Sequence, residues 1–252
     1  ITSFGFAAIA MLVYIHFHGD LRIRFRGIRL AAALFMDILR VGAVACGNAL
    51  LTIATIIVVT GLVGRYGTEA LAGYGIGSRL EIMLIPIAFG VGGAMTAMVG
   101  TNRGAGAHAR ARRIAWTGSL FVFAVTGAIG FAAAIWPPLW TGFFTSDPTA
   151  LAAAHTYLRI VGPGYGFFGL GMALYFASQG TGNMTWPFIS GVLRLLVAAG
   201  IGAVLALGLG MDVEALFACV TVGLVCFGGV IAWSLGWSRV WNPEQAESRQ
   251  DA

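Results

Sequence analysis

IMLIPIAFGVGGAMTAMVGT (residues 82–101) runs without interruption into NRGAGAHARARR (residues 102–113). The first part carries no charge for some 20 residues, which at about 1.5 Å per helical residue is enough to cross the hydrocarbon core of a bilayer. The second part sets four arginines, Arg103, Arg110, Arg112 and Arg113, within 11 residues. Such a cationic exit holds the end of a span in the cytoplasm. Glycines at 90, 92, 93 and 100 keep the helix thin enough for a neighbouring backbone to approach closely. One stretch thus predicts a membrane-spanning helix, its orientation and its packing surface.

The rest of the chain fits that beginning. Of its 252 residues 58% are hydrophobic and only 10% are charged, against about a quarter charged in a soluble domain. So little polar surface would not cover the exterior in water, and lipid is the expected solvent for most of it. The net charge of +5 lies in loops between apolar runs, where topology explains it and no nucleic-acid partner is implied. All 15 basic residues are arginine. Cys46, Cys219 and Cys226 lie inside apolar runs with no CxxC and no histidine at metal-ligand spacing, and read as small apolar residues.

Seven apolar segments emerge, at about 1–17, 38–64, 76–101, 114–140, 152–178, 186–210 and 214–238. Turn chemistry separates them at Gly64–Glu69, Thr145–Pro148, Gly180–Asn183 and Gly210–Asp212. The first segment has neither the cationic start nor the cleavage site of a signal peptide, and the chain begins at Ile1. We read 1–17 as the end of a truncated transmembrane helix, 18–37 as a basic cytoplasmic loop, 38–238 as a six-helix transmembrane lobe and 239–252 as a cytoplasmic tail. Leu30–Arg40 is either an interfacial lead-in helix or an extension of the next span, with Asp37 and Arg40 spaced to pair on one face. The arginine loops and the C-terminus face the cytoplasm and the acidic turns near Asp147 and Asp212–Glu214 face out, placing the protein in the inner (plasma) membrane. Pro163 and the glycines at 162, 164, 166, 169 and 171 predict a bend in the fifth segment. The fold class is therefore all-α, a polytopic membrane helix bundle of about six full spans plus the end of a preceding one.

Several phrases in order sharpen this reading: ALAGYGIGSRLE (residues 70–81), Phe89-Gly90, VGTNRGAG (residues 99–106), Val161-Gly162-Pro163, LYFASQGTG (residues 174–182) and Trp186-Pro187. Together they resemble the MATE (multidrug and toxic compound extrusion) family, over about residues 34–237. The resemblance implies a secondary active efflux transporter of twelve helices in two six-helix lobes. Such a carrier exchanges organic, often cationic compounds for protons or sodium ions. This chain is similar to the second, C-terminal lobe, so its implied partners are a small organic substrate, the bilayer and a missing N-terminal lobe. The coupling ion is a proton or sodium, and no cofactor is implied. Many relatives carry a cation-binding acid in helix seven and another in helix ten. The corresponding runs here contain none, which shifts the expected coupling acid to the first lobe.

Ionisable groups at membrane depth are candidates for function. Glu81 and Arg79 stand near the start of the third segment, but two residues apart they do not share a helix face. Glu81 is either a cation or proton site or a carboxylate near the outer interface, paired with a loop or held by water. Arg194 is expected to snorkel toward the cytoplasmic headgroups. Asn48 either bonds between helices or contacts substrate. Apolar and aromatic walls suit a drug-type cavity, and Met95, Tyr165, Phe168 and Tyr175 are candidates, among other residues of which at most a third are expected to line one. The substrate- and ion-binding set is therefore Asn48, Arg79, Glu81, Met95, Tyr165, Phe168 and Tyr175, with no catalytic residue and no metal ligand. No phosphate-binding loop and no hydrolase motif is present, so the protein is not read as an enzyme. The alternatives weighed are a flippase for lipid-linked precursors, an intramembrane enzyme built on Arg79, Glu81 and Asn48, and a non-transporting membrane subunit.

Overall fold

Long apolar runs without internal acids form helices because only a helix satisfies its backbone hydrogen bonds within one segment in lipid. The computed structural model describes residues 5–6, 9–11, 13–14, 17, 32–237 and 241. The chain divides into two units, Ile1–Leu39 and Arg40–Ala252. The described residues between 5 and 17 are helical; the arginine loop at 18–29, the Asp37 and Arg40 side chains and residues 242–252 lie outside the described set.

The helices are α1 (Ala32–Val63), α2 (Thr68–Gly104), α3 (His108–Ile135), the short α4 (Pro138–Thr141), α5 (Pro148–Val161), α6 (Tyr165–Thr181), α7 (Thr185–Leu195) and α8 (Val213–Trp237). Among the described residues of the 30–40 stretch, 32 onward is helical. Among the described residues six helical stretches are long and apolar enough to cross a membrane: Gly42–Tyr66, Thr68–Gly104, His108–Ile135, Pro148–Thr181, Thr185–Gly208 and Val213–Trp237. The all-α bundle of six spans expected from the sequence is what is found.

Glycine and proline mark the breaks. Gly67 has φ of 108°, which an L side chain rarely adopts, and it turns the chain from α1 into α2. The predicted bend in the fifth segment is a 3₁₀ turn, Gly162–Gly164, between α5 and α6. Pro86 is absorbed within the continuous α2. Asp147 caps α5 by accepting from the Thr149 amide at 3.1 Å. Bonds from the Thr149 hydroxyl and amide hold its carboxyl below the usual range.

The α5–α6 span is the most enclosed, 72% buried against 17% for the first span. Close backbone approach achieves this. A Cβ on Gly130 would run into the carbonyl oxygen of Gly162, and one on Gly162 would lie 2.6 Å from that of Gly130. At the far end a Cβ on Gly180 would lie 2.5 Å from the Thr96 carbonyl, while the Thr96 hydroxyl donates to Phe176 O at 2.8 Å. Gly90 and Gly93, by contrast, meet nothing within 4 Å. Not every glycine of the opening stretch is a packing glycine.

The core falls into two clusters along the bundle. One gathers Val59, Leu84, Tyr157, Tyr165, Phe217 and Leu224; the other gathers Met95, Val99, Ala115, Leu174, Ile231 and Trp241. Tyr66 donates to Met211 O at 2.7 Å, tying two turns together at one end. Overpacking a tight contact costs about 1–3 kcal/mol, whereas Gly→Ala on an open helix face gains up to about 1 kcal/mol. Gly130→Val is therefore expected to lower the thermal midpoint in detergent, and Gly90→Ala to leave it unchanged or raise it.

Candidate functional site

The polar residues of α1 form a stripe. Thr52, Thr55, Ile56, Val59 and Thr60 follow the i, i+3, i+4, i+7, i+8 pattern of one helix face, and all five line one recess of about 450 Å³. Leu71, Tyr74, Ser78, Glu81 and Ile85 of α2 form the facing wall, and Tyr157, Phe168, Arg194 and Val220 close it. The Thr52, Thr55 and Thr60 hydroxyls donate back to the carbonyls of Asn48, Leu51 and Ile56 at 3.1, 2.8 and 2.6 Å. With their protons engaged, these oxygens offer the recess only lone pairs.

Arg194 Nη2 donates to Glu81 Oε1 at 2.9 Å, and the two side chains are only 8% and 16% exposed. Glu81 lies about 20 Å along α2 and Arg194 about 14 Å along α7, so both sit deep within their spans. The Arg194 guanidinium also lies 5.4 Å from the Phe168 ring centre and 5.7 Å from that of Phe227, in cation–π range of each. Immediately after Arg194 the helix widens into π-helical stretches at Leu196–Ile201 and Val204–Gly208, a local departure often found at working sites. Beside the recess Tyr157 packs edge-on between Tyr74 and Phe217, at 5.4 and 5.0 Å.

The snorkelling expected of Arg194 is therefore not what is found: the guanidinium turns inward to the carboxylate. The side chain would have to bridge about 14 Å to leave the span, further than it reaches, and that depth was the available signal. Nor is Glu81 held by a loop or by Arg79; Arg79 instead lies over the Phe144 ring at 5.4 Å.

The candidate residues separate accordingly. Glu81 and Phe168 line the recess, and Tyr165, fully buried, donates to Gly77 O at 3.2 Å, one turn from Glu81. Asn48 is buried one turn beyond Thr52, its Oδ1 packed against Gly191 and without a hydrogen-bond partner among the described residues. Tyr175 packs edge-on against Phe176 at 5.6 Å, away from the recess. Met95 belongs to a second recess near the arginine-rich turn, with Met98. The threonine stripe was missed by the sequence reading, although its helical spacing was visible there. Among the described residues no group of three His, Cys, Asp or Glu could hold a metal ion.

Six apolar spans enclosing a mid-bundle charge pair and a mixed hydroxyl–aromatic recess are the build of a multi-pass membrane protein. The MatE family matches residues 43–205, well over half of the chain, and the protein belongs to that family of MATE transporters. It is 28% identical over 123 residues to "Probable multidrug resistance protein NorM" of Thermotoga maritima, a match covering 49% of this chain and 26% of that protein. Its fold is similar to a MATE transporter solved in the straight conformation, with a TM-score of 0.83 at 17% identity over 95% of this chain and 54% of that one. It is also similar to the MATE transporter ClbM solved in complex with Rb+, with a TM-score of 0.76 at 18% identity over 85% and 51%. The chain thus spans about half the length of these solved transporters, and the stretch aligned to the Thermotoga relative covers about a quarter of that protein.

Removing one member of a buried pair strands the other and costs about 3–5 kcal/mol, whereas replacing both with apolar groups is often neutral. Glu81→Gln and Arg194→Met are each expected to lower stability on that scale. The double variant Glu81→Gln with Arg194→Met is expected to lose far less than the sum, read as the coupling term of a double-mutant cycle in detergent.

Proposed function

We propose that this chain is the C-terminal lobe of a cation-coupled antiporter that exports organic, often cationic compounds in exchange for protons or sodium ions. It works in the inner membrane beside a second six-helix lobe, with the arginine-rich turns and the C-terminus cytoplasmic. Family membership, the half-length match and the placement of arginine at alternate turns support this reading.

The observation that carries it is the Glu81–Arg194 pair on the wall of the 450 Å³ recess. The recess offers one carboxylate, hydroxyl lone pairs and aromatic faces, a set that favours a cation with an apolar body. Arg194 already occupies that role as a tethered guanidinium, so an incoming organic cation competes with it for Glu81 and for the Phe168 face. The principal coupling acid then stands on the other lobe, in keeping with the acid-free α1 span and α6, and Glu81 sets occupancy on this one.

The test uses the full-length protein. Binding of a fluorescent cationic dye, read by polarisation, is expected to weaken at least tenfold in Glu81→Gln, with dye efflux from vesicles under a proton gradient falling in step. The double variant Glu81→Gln with Arg194→Met, which leaves no stranded charge, must show the same loss. Wild-type binding and efflux in both variants would overturn the proposal.

A further inference from the structure

At the opposite end of the bundle the opening stretch forms a second recess, of about 870 Å³, between α2 and α3. Val91, Ala94, Met95 and Met98 of α2 and Ile114 of α3 make its floor, and Arg110 and Arg113 line it. Neither arginine has an ion pair or hydrogen bond among the described residues, and no acid lines the recess. From Met98 to Val91 the floor runs about 10 Å along α2, from the level of the arginines toward the middle of the span. The recess therefore joins two unpartnered guanidiniums to an apolar trough pointing into hydrocarbon.

Each half of this arrangement excludes a class of occupant. A free phosphate would satisfy Arg110 and Arg113 but leave the methionine floor bare. A neutral detergent or acyl chain would cover the floor and leave two cations unpaired. The polar tail NPEQAESRQDA (residues 242–252) has acids but no large apolar side chain to fill a trough. An amphiphile with an anionic head satisfies both halves at once, and the surrounding leaflet supplies one. We infer that this recess is a binding site for one anionic glycerophospholipid, its phosphate on Arg110 and Arg113 and one acyl chain along Val91, Met95 and Met98. Because Met95 also packs against Gly118 and belongs to the core cluster of α2, α3, α6 and α8, the lipid would brace this end of the bundle.

The test is lipid titration of the purified full-length protein in a neutral detergent, read by native mass spectrometry and by thermal unfolding. Phosphatidylglycerol is expected to give a discrete single-lipid adduct and to raise the melting midpoint by several degrees, while phosphatidylcholine does neither. Arg110→Gln with Arg113→Gln is expected to weaken the adduct at least tenfold, and Arg110→Lys with Arg113→Lys to retain most of it. Ala94→Glu, which places a counter-charge on the floor, is expected to weaken it as well without removing an arginine. Arg65→Gln, at the other end of the bundle, leaves it unchanged. Equal stabilisation by phosphatidylcholine, an equal shift with inorganic phosphate alone, or an unaltered adduct in both the Gln pair and Ala94→Glu would overturn the inference. So would a lipid-free loss of stability on removing residues 242–252 that matches the loss seen in the Gln pair, since that assigns the recess to the tail.

Discussion

The approach of the α3 and α5–α6 backbones at Gly130 and Gly162 is the constraint on which the rest of the bundle hangs. Helices in lipid gain nothing from burying apolar side chains against one another that the lipid does not already offer, so association depends on packing and on interhelical polar contacts. Two glycines face to face bring the backbones to contact distance and seat α6 among α2, α3 and α8. Phe168 reaches the recess only because α6 is central, and Tyr165 reaches Gly77 for the same reason. The 3₁₀ turn at Gly162–Gly164 belongs to the same solution: it redirects the chain where the contact is tightest, and Pro163 sits where a missing amide proton does least harm.

Around that packing, the polar groups of the interior are nearly all answered locally. Threonine hydroxyls return to carbonyls a turn earlier, Thr221 donates to Ile160 O at 2.8 Å, and the Trp140 indole N–H donates to Ile76 O at 2.9 Å. Among the described residues, Glu81 and Arg194 are answered only by each other and by two aromatic rings. Two charges taken out of water lose several kcal/mol each in hydration, and the attraction between them restores it only in good geometry. A single 2.9 Å contact is modest geometry for a guanidinium, which has five donors. A purely structural role would be served as well by leucine and methionine of similar volume. Retaining the pair on a cavity wall beside a π-helical stretch is a local inconsistency of the kind that function, not folding, accounts for.

Most of the fold was legible in the sequence because the membrane leaves few choices: uncharged runs, their spacing and the turn residues between them are sufficient to number the spans. The site was less so. Glu81 and Arg194 stand 113 positions apart, and nothing local says that the helices bearing them face each other. The reading of Arg194 failed by treating it as one residue near an end rather than by its depth within a 24-residue span. The threonine stripe was missed for a different reason: in a hydrophobic helix threonine passes as a β-branched apolar residue until its spacing is set against that of its neighbours. Gly90 and Gly93 show the converse error, since glycine in a span signals close packing only where another backbone faces it.

The arginines of the two recesses are of two kinds. Arg194 is spoken for, buried against a carboxylate and two rings; Arg110 and Arg113 have no such partner among the described residues, and they stand where a span ends. Charge matters differently in the two places. At the span end a guanidinium is hydrated and exchangeable, and what binds it must bring an apolar part to gain from the trough below. Within the bundle, a bare sodium ion would have to shed its water and displace a guanidinium held in place by its own chain. A large organic cation is weakly hydrated and attracted to ring faces as Arg194 is, so it competes on the same terms. On the proposed reading the resident arginine acts as a filter. It keeps the carboxylate neutralised against small ions and yields it to a cation that resembles the arginine itself.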